Sequence, residues 1–333
     1  MRILLTEPGH LRTVHMGRFS SEALKKLGHE VRHFDEGAHS KNKLRNLIHA
    51  PWSRSEEENS IVNAALRSLI KRWKPDLLFA VFGMDISPET LSFAKSQGVI
   101  TVRWWLNDPF QLKRSLKKSP HYDVVFSNDA HCVPEYKQAG VKNAYFLPVA
   151  VSEDVHRPLP PDPALAADVI FAGDWCQTRE RLMTTLAKNF DLRIFGPWGK
   201  KIADDSPLRQ NLHDGFFTPE EMVQIFCSGK VIINIHSWYE KSDHGTNPRL
   251  FEACGCGSFQ LVDGKQEIPD LYEPDREIVI WQDEKELVEK VGWALENEEK
   301  RLAIGRGGLA RTLKQHTYIK RMEQMLGMVA GSQ

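Results

Sequence analysis

Short apolar runs rich in β-branched and aromatic residues recur along this chain, separated by longer stretches in which apolar residues return every three to four positions. Near-continuous apolar strands of this kind are buried on both faces, which is the situation of parallel strands joined by crossover helices. In the first half the pattern predicts strands at residues 2–6, 30–34, 76–82, 100–106, 124–127 and 144–147. Between the first two, Ser20 to Leu27 has helical spacing and stops at Gly28, a favourable residue just past a helix end.

Residues 156–167 hold Pro158, Pro160, Pro161 and Pro163, too many imino acids for a helix or a central strand. The rhythm then restarts, with strands expected at 168–172, 192–195, 231–235, 259–262 and 277–281, and helices at 179–188 and 219–227. Residues 284–326 read as helical and strand-free. Their basic residues, Lys300, Arg301, Arg306, Arg311 and Lys314, follow Glu296, Glu298 and Glu299 and read as a solvated face. The expectation is an α/β chain of two Rossmann-like doubly wound domains, 1–155 and 168–315, joined by a proline-rich linker at 156–167 and closed by a helix over 316–333. A length of 333 residues suits two domains at roughly 150 residues each.

Lys and Arg number 44, as do Asp and Glu, so no overall positive field draws the chain to nucleic acid, and stable nucleic-acid binding is not expected. The longest apolar stretch, 77–84, falls far short of the roughly 20 residues of a membrane span, so no transmembrane segment is expected. The first residues lack the features of a signal peptide, which points to the cytoplasm. Five cysteines without C-x-x-C spacing predict reduced thiols and no structural zinc. The polar stretch 39–59 is either an acceptor-side loop or an irregular connection.

Ligands of open α/β sheets bind beyond the carboxyl ends of the strands. After the apolar run 231–235 come His236 and Ser237, a polar loop, and then Thr246 or Asn247 as helix cap with Pro248 in the first turn. The amides and positive dipole end of such a helix favour an anion, and Arg249 adds a guanidinium able to grip two phosphate oxygens. Glu252 lies three residues on, close to the same face, so Arg249 is assigned to a diphosphate and Glu252 to ribose hydroxyls. The alternative is an ordinary surface ion pair.

Gly173 and Gly196, each after an expected strand, either let the chain approach phosphate and base or serve tight turns. His236 and Ser237 are placed to touch sugar or phosphate, though a histidine there also fits a hydrogen-bonded core. Trp175 and Phe217 either flank a nucleobase or pack. In the first half, Asp108 stands before Pro109 as a candidate general base or an Asx turn, followed by His10, His15 and Asp85. The loop after the first strand lacks G-x-G-x-x-G, which argues against a nicotinamide dinucleotide site.

The segment Asn247-Pro248-Arg249-Leu250-Phe251-Glu252-Ala253-Cys254-Gly255-Cys256-Gly257-Ser258-Phe259-Gln260 resembles the donor-binding signature of GT-B glycosyltransferases. The group is the one related to the spore maturation protein CgeB and to glycosyl transferases group 1. Residues 168–174 followed by Arg179, the strand 231–235, and His316, Thr317 and Tyr318 with Arg321 are similar to further parts of that family. Before residue 156 the echoes are weaker, chiefly 104–109 and Leu147-Pro148.

The resemblance implies two Rossmann-like domains facing across a cleft, with helices at the C-terminal end. It implies transfer of a sugar from a nucleotide-diphosphate donor, a UDP- or dTDP-sugar, to an acceptor that is a glycan, small molecule or protein. The donor would sit on the C-terminal domain and the acceptor on the N-terminal one. No cofactor and no bound metal are implied, and no Asp-x-Asp motif follows a strand. Arg249, the helix start and Arg179 would instead meet the charge of the leaving diphosphate. A sugar-nucleotide epimerase or hydrolase on the same scaffold, and a noncatalytic two-lobed binding protein, are the competing expectations.

Overall fold

The computed structural model describes residues 1–8, 15–36 and 56–332. Residues 39–55 of the polar stretch lie outside this set, and its remainder opens a helix. In chain order the elements are β1 (Arg2–Glu7), α1 (Met16–Lys26), β2 (Glu30–Asp35), α2 (Glu56–Trp73), β3 (Leu77–Val81), α3 (Pro88–Ser96), β4 (Ile100–Trp105), α4 (Leu112–Leu116), β5 (Val124–Ser127), α5 (Val133–Gln138) and β6 (Asn143–Phe146). There follow β7 (Ala167–Ala172), α6 (Gln177–Ala187), β8 (Leu192–Gly196), β9 (Leu212–Asp214), α7 (Pro219–Cys227), β10 (Gly229–Asn234), α8 (Pro248–Gly255), β11 (Gln260–Asp263), α9 (Ile268–Leu271), β12 (Val279–Trp281), α10 (Glu284–Glu296), α11 (Glu298–Gln315) and α12 (Tyr318–Ala330).

The described residues fall into two units. One comprises those up to Pro148 together with those from Tyr318 onward, and the other is Val149–Thr317. The first holds a six-stranded parallel sheet in the order β2-β1-β3-β4-β5-β6. Its strands β3 and β5 are buried throughout, as the apolar runs Leu77–Val81 and Val124–Phe126 require, and Ser127 at the end of β5 is hydrogen-bonded to Asp108. Helix α12 packs on α1 within this unit, with the Phe19 and Tyr318 rings 5.5 Å apart. The closing helix thus completes the first unit rather than extending the second.

The second unit is also a six-stranded parallel sheet, ordered β12-β11-β10-β7-β8-β9. One face packs Leu182, Leu186, Trp198, Leu287 and Val291 against β7, β10 and β11; the other packs Met222, Phe226 and Ala253. The proline-rich segment belongs to this unit. Leu159 and Leu165 lie against the second of those clusters, Pro160 O accepts from Gln224 Nε2 at 2.8 Å, and Asp162 N donates to Ser228 Oγ at 2.9 Å. The unit boundary therefore sits at Pro148, upstream of the prolines.

Local chemistry explains the helix starts. Thr218 and Glu221 form a reciprocal capping box at α7, with Pro219 in its first turn, and Ser87, Asn247 and Asp283 cap α3, α8 and α10 through their side chains. Strand β9 escaped sequence reading because it is a three-residue edge strand, Leu212-His213-Asp214, with no apolar run. On the expected basic face Lys300, Arg306 and Lys314 are exposed and Arg311 is half-buried, whereas Arg301 is buried and donates to Ala294 O at 2.7 Å.

Candidate functional site

In the second unit the chain steps outward from β7 to β8 and β9, then returns to lay β10 on the other side of β7. The topological switch point, the place where open α/β sheets bind their ligands, lies between β7 and β10. Arg179, in the first part of α6, joins these two ends. Its Nε donates to Ile235 O at 3.0 Å and its Nη1 to Asp174 O at 2.7 Å, while its guanidinium lies 5.3 Å from the centre of the Phe171 ring. Burial lowers its pKa, and Arg249 adds to that effect, so two guanidinium groups share one field. Arg179 thus spends hydrogen bonds on the scaffold that the sequence reading had assigned to phosphate.

Helix α8 begins at this switch point. Asn247, rather than Thr246, is the cap: its Oδ1 accepts from Leu250 N at 3.1 Å. Asn247 Nδ2 donates to Asn234 Oδ1 at 2.8 Å, and Asn234 Nδ2 donates to Gln260 Oε1 at 2.9 Å, so a buried amide ladder crosses from the helix cap through β10 to β11. The Asn247 N–H donates to His236 Nε2 at 3.2 Å. Pro248 has no N–H. Leu250 N–H also donates to Asn247 O at 3.3 Å, and Arg249 N–H has no partner among the described residues. The helix start thus offers an anion the Arg249 amide beside the Arg249 guanidinium.

Arg249 reaches back over the sheet. Its Nε donates to Ala172 O at 3.3 Å, its Nη1 pairs with Glu252, and its guanidinium lies 5.4 Å from the centre of the Phe217 ring. The side chains of Arg249 and Glu252 are 15% and 4% exposed, so this is a mostly buried pair and not the surface pair of the alternative reading. The second Glu252 oxygen lies 3.9 Å from Nε2 of buried His156, whose pKa burial pushes down. Arg249 Nη2 makes no hydrogen bond among the described residues. That nitrogen and the Arg249 N–H are donors available to an anion here, and Ser237 is half-buried in the loop after β10.

His236 is a core residue. Its Nδ1 donates to Asp263 Oδ1 at 2.8 Å, and Nε2 accepts from Asn247, so both ring nitrogens are used inside the protein and neither is left for a sugar or phosphate. Asp263 also accepts His236 N–H at 2.7 Å, and its other oxygen lies 2.8 Å from Lys265 Nζ. Burial pushes the Asp263 carboxyl upward, but His236 and Lys265 outweigh it and hold the group below its ordinary value.

Gly173 and Gly196 serve each other. Gly173 N donates to Phe195 O at 2.9 Å, and a Cβ on Gly196, where φ is +155°, would lie 2.1 Å from Gly173 O. The ends of β7 and β8 can approach this closely only with glycine at 196. Trp175 Nε1 donates to Glu180 Oε2 at 2.7 Å and the ring packs on the core; Phe217 is buried beneath Arg249.

In the first unit Asp108 is 1% exposed. Its Oδ2 accepts from Ser127 Oγ at 2.6 Å and Tyr136 Oη at 2.8 Å, so the carboxyl bonds neighbouring side chains and forms no Asx turn. Burial pushes its pKa up to about 6. Near it Arg103 is fully buried, donating to Phe82 O at 2.7 Å and Ser119 Oγ at 2.8 Å, with its guanidinium 4.6 Å from the Trp105 ring centre. His15 occupies the cap position of α1 without a side-chain capping bond. His10 lies outside the described residues.

Sequence reading missed Asn234, Gln260, Asp263 and Lys265. The available signal was a polar residue inside or at the end of an apolar strand, as with Asn234 in Val231-Ile232-Ile233-Asn234. Such a residue must find a hydrogen-bond partner.

Residues 178–327 match the family model described as Glycosyl transferase-like. No curated protein matches the sequence. Among solved structures, sucrose-phosphate synthase from Thermosynechococcus elongatus is similar, with a TM-score of 0.71 at 12% identity over 99% of this chain and 98% of that one. Anabaena HepE in complex with UDP-glucose gives 0.67 at 12% identity over 99% and 100%. A glycosyltransferase from Rickettsia africae gives 0.67 at 11% over 99% and 98%. Among the described residues no helix is long and apolar enough to cross a membrane. The chain has the GT-B fold, and that fold together with the glycosyl transferase-like segment supports an enzyme of the glycosyltransferase class.

Proposed function

We propose that the chain transfers a sugar from a UDP- or dTDP-sugar to an acceptor, with the donor diphosphate against the first turn of α8. The observation that carries this reading is the half-open Arg249. It is fixed from behind by Glu252 and Ala172, with Nη2 and its own N–H free at the switch point of the second sheet. A guanidinium held in place before the ligand arrives stabilises a leaving diphosphate without reorganising. Arg179 contributes field and holds the two loops rather than gripping phosphate. Glu252 is assigned to the ribose, its carboxylate oriented by Arg249. The positive charge needed by the leaving group comes from side chains in this reading, so the reaction proceeds without a divalent ion. The first unit takes the acceptor. The UDP-glucose bound by Anabaena HepE supports the donor class.

A thermal-shift panel of nucleoside diphosphates and nucleotide sugars tests the reading, because stabilisation grows with ligand concentration over its dissociation constant. UDP or dTDP compounds should raise the melting temperature, with chelator present or absent. No shift with any member of the panel would refute donor binding. Turnover of the donor without an acceptor would favour the epimerase or hydrolase reading, and binding without turnover under any acceptor supplied would favour the noncatalytic one.

A further inference from the structure

Basic and acidic residues balance over the chain as a whole, yet residues 109–122 carry Lys113, Arg114, Lys117, Lys118 and His121 and no acidic residue. This segment is most of the connection between β4 and β5 in the first unit, and it contains α4. Its inward side is fixed. Leu112 and Leu116 pack against the core of the unit, and buried Ser115 Oγ is hydrogen-bonded to Tyr136 Oη at 2.7 Å. Arg103 Nη1 donates to Ser115 O at 3.0 Å and to Ser119 Oγ at 2.8 Å. Lys118 is committed to the scaffold as well, donating to Met84 O.

With Ser115 anchored inward, a helical repeat turns the opposite side to solvent. Phe110, Lys113 and Lys117 follow one another at three- and four-residue spacing, across the helix from Ser115. The turn that carries Phe110 is closed by Gln111 N donating to Asn107 O at 2.8 Å. Lys113 and Lys117 are exposed, and neither has an ion-pair partner among the described residues. Phe110, 60% exposed, is the most exposed large apolar side chain among the described residues. The neighbouring acids Asp85 and Glu89 act on Lys118 and His121, at the other end of the segment. Cations around a projecting aromatic ring suit the boundary of an anionic bilayer, where headgroup phosphates meet the lysines and acyl chains receive the ring. A soluble polyanion would use the lysines but leave the ring in water, so the exposure of Phe110 favours the bilayer.

We propose that the face carrying Phe110, Lys113 and Lys117 docks the first unit on a bilayer rich in anionic lipid. The lysines lie against headgroup phosphates and the Phe110 ring enters the acyl boundary. So few cations and a single ring give a weak, reversible attachment that salt weakens further. The chain lies on the surface and does not span it. This docking face stands whether or not the donor assignment holds.

The test sediments the full chain with vesicles of phosphatidylcholine, alone or with about 40% phosphatidylglycerol, at about 50 mM and about 500 mM salt. At low salt the chain should sediment with the anionic vesicles at least about fivefold more than with the neutral ones, and high salt should release it. Lys113→Gln/Lys117→Gln should lower this partitioning at least about tenfold and Phe110→Ser at least about threefold, with melting temperatures near that of the unaltered chain. No sedimentation with anionic vesicles at low salt, equal sedimentation with neutral ones, or full binding by the lysine variant would overturn the proposal. Retention on single-stranded DNA without vesicle binding would overturn it in favour of a nucleic-acid face. Hydrogen exchange on the unaltered chain gives a readout that needs no variant: anionic vesicles should slow exchange within residues 109–118, and protection confined to any other segment would overturn the assignment.

Discussion

Substituting Arg249 with alanine removes the cation that faces Glu252, a carboxylate whose side chain is 4% exposed. Breaking one half of a buried ion pair costs about 3–5 kcal/mol, because the surviving charge is left without compensation. Arg249 is itself 15% exposed and water would partly replace it, so the lower end, about 3 kcal/mol, is expected. Buried His156, 3.9 Å from the other Glu252 oxygen, is held down by burial and by Arg249 itself, so part of the loss can be recovered through it once Arg249 is gone. The lost phosphate contact is a separate quantity, about 1.5–3 kcal/mol for a charge-assisted hydrogen bond, or roughly 10- to 150-fold in UDP affinity.

The double variant Arg249→Ala/Glu252→Gln separates the two effects. A neutral amide at 252 needs no counter-charge, so the double variant should recover at least about 1 kcal/mol of stability over Arg249→Ala while UDP affinity stays low. Urea unfolding followed by tryptophan fluorescence and calorimetric titration with UDP measure the two quantities. Unchanged UDP affinity in a folded double variant would refute the phosphate assignment. A double variant no more stable than the single one would refute the buried-charge argument.

Three further outcomes follow from the same structure. Asp108 has a folded-state pKa of about 6 against an ordinary 3.8, so the folded chain holds that proton more tightly and this group's contribution to stability falls as pH rises from about 4 through 6. Asp108→Asn should therefore gain on the unaltered chain across that window, by on the order of 3 kcal/mol, and superimposable pH–stability curves would contradict this. Asp263→Asn leaves Lys265 buried without its counter-ion and should cost about 3–5 kcal/mol by urea unfolding; a loss below about 1 kcal/mol would show that the lysine finds another partner. Gly196→Ala should lower the melting temperature markedly, because its Cβ would lie 2.1 Å from Gly173 O, and a melting curve like that of the unaltered chain would show that the β7 and β8 ends can part freely.

Strand positions were readable chiefly because parallel strands buried on both faces are written as apolar runs; eleven of the twelve strands fall at expected positions, edge strand β2 among them despite its mixed sequence Glu-Val-Arg-His-Phe-Asp. The twelfth, β9, is paired on one side only and carries His213 and Asp214 on its length, so no apolar signal marks it. The start of α8 was readable from Asn247, Pro248 and the apolar strand before them, since capping is a local interaction. What sequence could not yield was how hydrogen bonds are shared out. His236 and Arg179 occur where a ligand residue would, but partners at Asp263, Asn247, Ile235 and Asp174 claim their donors and acceptors first. The unit boundary was misplaced for a related reason: prolines exclude helix and central strand, yet they do not exclude a strap that packs on a core through Leu159 and Leu165.

Helix α12 closes the unit in which the chain begins, with Tyr318 against Phe19 and Trp104, and Ser332 hydrogen-bonded to Tyr145 at 2.9 Å. The second unit is thus an insertion in the first, entered after Pro148 and left after Thr317. A chain cut after residue 317 should therefore keep the inserted unit as a protease-resistant body, while the first unit, deprived of the helix that packs on α1, is degraded.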